Sequence, residues 1–95
     1  MYIIKAEKYV KIGVADDINY RLRQIQSACP IKLEIINFWK INNTYYYENL
    51  LHKRYEQYRV HGEWFALPED EVYFLSKVKD IEEAVKNKSN NLENK

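Results

Sequence analysis

The opening residues of the chain leave few folds open. Residues 2–6 (Tyr-Ile-Ile-Lys-Ala) and 9–14 (Tyr-Val-Lys-Ile-Gly-Val) are rich in β-forming side chains, and only Glu7 and Lys8 separate them. Two such runs with a short polar gap read as paired strands joined by a turn. A two-stranded hairpin is at best marginally stable alone, so the rest of the chain has to cover it. Asp16 or Asp17 can accept hydrogen bonds from the free N–H groups of a helix start. Ile18, Leu22, Ile25 and Cys29 then recur at helical spacing, and Pro30 ends the run.

Residues 32–41 read as a third strand, apolar enough through Leu33, Ile35, Ile36, Phe38 and Trp39 to be central. Asn42, Asn43 and Thr44 are turn and cap residues. From 44 to 58, Tyr47, Leu50, Leu51, Tyr55 and Tyr58 make a helical apolar stripe. Gly62 breaks the chain, and Trp64 to Leu67 read as a short edge strand. Pro68 opens a last helix whose first turn holds Glu69, Asp70 and Glu71, favourable to the helix dipole. Val72, Leu75, Val78, Ile81 and Val85 are its expected buried face. The order is β-β-α-β-α-(β)-α, an α+β layout around a small antiparallel or mixed sheet. Residues 1–87 are expected to be a single domain, and 88–95 a polar, disordered tail.

Ninety-five residues support one small core. Nine Tyr, two Trp and three Phe supply much of it, and Tyr and Trp keep a polar tip available for a shallow site. Cys29 is alone, which excludes an intramolecular disulfide and a cysteine zinc cluster and points to a cytoplasmic protein. No apolar run approaches a membrane span, and the start lacks a signal-peptide pattern, so no leader and no membrane partner are expected. The net charge of +1 hides an asymmetry. Residues 1–61 carry ten Lys/Arg against six Asp/Glu, or +4; residues 62–95 carry five against eight, or −3. The basic part fits contact with a polyanion.

Polar residues with chemical capacity sit beside the apolar ones. Glu48 and His52 are four apart and project from one side of a helix, at the border of its apolar stripe. A carboxylate there can hold a hard cation, and a histidine can donate to phosphate or shuttle a proton. The same spacing also describes an ordinary helical contact or a structural histidine. Arg21 flanks the buried face of the first helix, where it can fork onto a phosphate or pair with Asp17. Lys11 leaves the second strand on the face opposite Val10 and Ile12, and Tyr2 and Lys5 lie on the first strand. Lys5, Arg23 and Lys53 are candidate nucleic-acid contacts. Glu63, between Gly62 and the core aromatics Trp64 and Phe65, is either a second acidic site residue or a structural acceptor.

Together Tyr2, Lys11-Ile12-Gly13, Arg21, Glu48-Asn49-Leu50-Leu51-His52 and Gly62-Glu63-Trp64-Phe65 resemble the GIY-YIG nuclease superfamily over about residues 1–67, in its compact phage-associated branch. The resemblance implies a three-stranded antiparallel sheet flanked by helices. It implies one-metal phosphodiester hydrolysis in which Tyr2 is general base or orients water, Arg21 binds the scissile phosphate, and Glu48 holds Mg²⁺ or Mn²⁺. Two positions depart from the pattern: Met1 precedes Tyr2 where the family has Gly-Ile, and Lys11 replaces the tyrosine of the second motif. Lysine can contact phosphate or act as a base, but it cannot reproduce a phenol's hydrogen bonding. Three readings follow: a metal-dependent DNA endonuclease of low intrinsic specificity, acting on duplex or branched DNA with a separate specificity-giving protein; a nucleic-acid-binding module without catalysis; and an interaction protein that keeps only the scaffold.

Overall fold

The computed structural model describes residues 1–86. β1 (Tyr2–Ala6) and β2 (Tyr9–Gly13) pair antiparallel, from Tyr2 opposite Gly13 to Ala6 opposite Tyr9. β3 (Glu34–Phe38) pairs antiparallel with the other edge of β1, with a register shift at Ile3 and Ile4. β4 (Arg59–His61) and β5 (Trp64–Phe65) form a second hairpin, and β5 pairs with β2. The sheet order is β3-β1-β2-β5-β4, so β3, expected to be central, is an edge strand, and β5, expected at an edge, lies inside because β4 pairs with its free side. The α+β class is as read from the sequence, but the sheet has five strands rather than three. Of the two strands beyond three, β5 falls within the strand expected over residues 64–67, and β4, three residues long, is too short to show an alternation. Gly62 makes them possible: its φ of 56° lies in the left-handed region that glycine adopts without strain, and the Arg59 guanidinium donates to its carbonyl.

Three helices follow the expected order: α1 (Ile18–Ser27), α2 (Thr44–Arg54) and α3 (Glu69–Lys77). Asp17 caps α1, its Oδ1 accepting from the Tyr20 N–H at 3.0 Å. The last helix does not run unbroken to Val85. It stops after Lys77, and helical backbone resumes over residues 81–86. β3 explains the break. Asn37 Nδ2 donates to the carbonyls of Leu75 at 3.0 Å and Val78 at 2.9 Å, and Trp39 Nε1 donates to Val78 at 2.9 Å. These side chains satisfy carbonyls that a helix end leaves orphaned. Asp80 Oδ1 then accepts from the Glu83 N–H at 3.1 Å and starts the next helical stretch. The expected tail, 88–95, lies outside the described residues.

The sheet is covered on both faces. Tyr2, Ile4 and Ala6 meet Leu33 and the Ile18, Leu22 and Ile25 stripe of α1. Ile3, Val10, Ile12 and Phe65 meet Tyr47 and Leu51 of α2 and Leu75 of α3. With both faces filled, the strand ends and their flanking turns remain for chemistry. The alternation also separates two lysines. Lys11 emerges on the Tyr2 side, while Lys5 emerges on the opposite one, lining a cleft with Glu69, Val72 and Tyr73.

Candidate active site

The site forms at the end of the β1–β2 hairpin farthest from the Glu7–Lys8 turn. Gly13 is its floor. A Cβ at Gly13 would lie 2.5 Å from Tyr2 Oη and 3.1 Å from Glu63 Oε1, so only hydrogen fits there. The phenol and the carboxylate can therefore converge over the strand. Both neighbours of the floor are anchored by Ile12. Its N–H donates to the Glu63 carbonyl at 3.0 Å, seating the β4–β5 turn on β2. Its carbonyl lies 2.9 Å from His52 Nε2, reached from α2. A carbonyl can only accept, so Nε2 carries the proton and Nδ1 presents its lone pair.

Glu48, one turn before His52, completes the cluster. Ligand atoms of Glu48, His52 and Glu63 lie within 4.8 Å of one another. Glu48 is 7 % exposed, and its Oε2 is buried without a hydrogen-bond partner among the described residues. Burial first, and then the like charge of Glu63, hold the Glu48 carboxyl above its ordinary range, with His52 and Lys11 opposing. Lys11 Nζ sits 3.1 Å from Glu63 Oε1 and 5.6 Å from the centre of the Trp64 ring. Burial, with Glu63 adding to it and Arg21 opposing, pushes the Tyr2 phenol up to about 12. Tyr2 therefore keeps its proton at neutral pH.

A buried carboxylate with an unmet oxygen, facing a second carboxylate, is stabilised by a cation. An imidazole whose other N–H is fixed by a backbone carbonyl has the arrangement of a metal-bound histidine. The three residues thus fit a divalent cation by donor chemistry and by need.

The remaining sequence candidates fall around this centre. Arg21 is exposed on α1, near enough for its charge to act on Tyr2, and the alternative ion pair with Asp17 does not form. Arg23 lies over the Tyr20 ring at 5.9 Å on the outer side of α1. Lys53 is exposed on α2. Lys5 is not brought to the site. The sequence leaves Glu63 open between acidic site residue and structural acceptor; the β4–β5 turn brings its carboxylate within the cluster. The clearance role of Gly13 was missed, although a glycine two residues after a polar strand position was the available signal.

A compact α+β scaffold brings two carboxylates, an imidazole, a phenol and an ammonium to one strand end, an arrangement consistent with a nuclease-like or DNA-binding module. The chain belongs to the T5orf172 domain family, whose model matches residues 1–89, a family associated with nuclease-like function. No curated protein and no solved structure matches the chain significantly. Among the described residues, no helix is long and apolar enough to cross a membrane.

Proposed function

We propose that this chain is a metal-dependent endonuclease of the GIY-YIG type, hydrolysing DNA phosphodiester bonds with low intrinsic sequence specificity. The observation that carries this reading is the convergence of Glu48, His52 and Glu63 around the unmet Glu48 oxygen. Mg²⁺ or Mn²⁺ suits an oxygen-rich donor set, and the imidazole favours Mn²⁺ within that pair. Bound there, the cation would neutralise charge on the phosphate. Glu48 and Glu63 would hold it, with His52 as the third donor, its Nε2–H fixed by the Ile12 carbonyl and its Nδ1 lone pair free to bind. Tyr2, retaining its proton, donates a hydrogen bond that orients the attacking water or a phosphate oxygen; this favours the orienting role over the base. Arg21 forks onto the scissile phosphate, where its fixed charge offsets the charge that develops. Lys11 adds positive charge beside Glu63. Arg23 and Lys53 contact the flanking DNA backbone, and a separate protein supplies specificity.

The test is plasmid nicking by the purified protein with Mg²⁺, Mn²⁺ or EDTA, beside Glu48→Ala. Metal-dependent nicking should fall at least about 100-fold in the variant. Equal nicking by both proteins would remove Glu48 from the chemistry. One observation favours a second reading, a binding module without catalysis: the Lys11 ammonium already neutralises Glu63. That reading expects DNA affinity indifferent to EDTA, falling with salt at a log–log slope of about −0.9 per phosphate contact.

A further inference from the structure

Four tyrosines stand exposed among the described residues: Tyr20, Tyr45, Tyr46 and Tyr73. Arg23 covers the ring of Tyr20, Lys77 that of Tyr73, and Tyr47 meets the ring of Tyr46 edge-on. Tyr45 differs. It is 70 % exposed, and among the described residues no ring or cation contact engages it. It also has the most pointed position. Tyr45 lies three residues before Glu48 and seven before His52 on α2, so all three project to one side of the helix. Residues three apart on a helix have Cβ atoms about 5–6 Å apart. Tyr45 is therefore one helical turn from Glu48 on the same side of α2, within one nucleotide's reach of a phosphate at the cluster.

From this placement we infer that Tyr45 is a stacking platform for an unpaired nucleotide next to the scissile phosphate. The preferred substrate class is then DNA with a single-stranded gap, overhang or branch, rather than uninterrupted duplex. This inference rests on the nuclease reading above. The reason is geometric. In a continuous duplex both faces of every base are already occupied by neighbouring bases, and a side-chain ring at the backbone finds none free. A base released from the stack offers a π-face, and aromatic stacking on it is tolerant of sequence. The surroundings agree in charge and polarity. Asn49 and Lys53 continue the outward side of α2 beyond Tyr45, both exposed, and residues 1–61 carry the positive excess of the chain.

Two labelled substrates of one sequence test this, an intact duplex and the same duplex with a short single-stranded gap carrying 2-aminopurine. With Mn²⁺ the parent should cut the gapped substrate about tenfold faster than the duplex. Tyr45→Ala should bring that ratio to about one, and Tyr45→Phe should keep it. Tyr73→Ala, on the far helix, should also keep it. With Ca²⁺ replacing Mn²⁺ to hold the substrate uncut, the parent and Tyr45→Phe should quench 2-aminopurine fluorescence, and Tyr45→Ala should not. A parent with no preference, or a Tyr45→Ala variant with an undiminished one, overturns the inference. A parent that quenches through Tyr45 yet cuts neither substrate refutes the nuclease reading and leaves the stacking intact.

Discussion

Two polar clusters lie under the helices of this protein, and they are built to opposite rules. Around Asn37 and Trp39 every exchange is completed. Both hydrogens of the Asn37 amide find carbonyls on Leu75 and Val78, its oxygen accepts from the Phe38 N–H at 2.8 Å, and the Trp39 indole N–H shares Val78. Around Glu48 the exchange is left open, with an unpartnered buried oxygen facing a second carboxylate. A satisfied buried network specifies a fold. An unsatisfied one lowers stability and is retained where a ligand completes it. The contrast sets a network completed within the protein against one that a cation would complete.

That contrast can be broken in three ways. The largest effect is expected from Gly13→Ala. The new methyl would press on the buried Tyr2 ring and on Glu63, so metal-dependent nicking should fall at least about tenfold, with overpacking costing about 1–3 kcal/mol in thermal unfolding. Full activity in a folded variant would show that the phenol and carboxylate need not converge there. Asn37→Leu comes next. Removing the amide leaves the Leu75 carbonyl without its donor and Val78 with one fewer, and should cost about 2 kcal/mol of stability. Its nicking per folded molecule should match the parent; a selective loss of activity would merge the two clusters into one.

The smallest effect is the most diagnostic, and it is on the stability of metal-free protein. Burial raises the Glu48 carboxyl in the fold, so the folded state favours its neutral form. Its contribution is fully present below the ordinary value of 4.5 and is lost as pH rises through the folded value. Glu48→Gln should therefore melt a few degrees higher than the parent at neutral pH, with the gap closing in acid. Mn²⁺ should raise the melting temperature of the parent and leave that of Glu48→Gln nearly unmoved. A variant less stable than the parent at every pH would make Glu48 a structural residue.

Much of this architecture was legible in the chain. The β1–β2 hairpin and the α1 stripe ended by Pro30 carry clear local periodicity, and the structure follows them; the stripe expected over 44–58 is followed only to Arg54, after which Glu56–Tyr58 tightens into a 3-10 turn leading into β4. Where it departs, a distant contact overrides a local pattern. Val78, Ile81 and Val85 keep helical spacing and are read as one helix, yet Asn37 and Trp39 draw the Val78 carbonyl out of it. β5 lies within the segment 64–67 read as a strand, but β4 holds only three residues, too few for a pattern, and it depends on pairing with β5, which in turn pairs with β2. The Glu48–His52 pair was visible because it is local, and the structure sets it beside Glu63. The arrival of Glu63 could not be read with the same ease, since it depends on that second hairpin. Lys5 and Lys11 look equivalent in composition, and only strand register places them on opposite sides.

The seating of the β4–β5 turn on Ile12 has a consequence for the chain while it is being made. The groups around the Gly13 floor are drawn from Tyr2 through Glu63, the first and the last of them contributed by segments that meet only once the chain through Glu63 has been made. A ribosome-bound fragment ending before that point lacks Glu63 and so has no paired carboxylates. If the chain cuts DNA as proposed, that power would be withheld until a two-residue strand closes on β2.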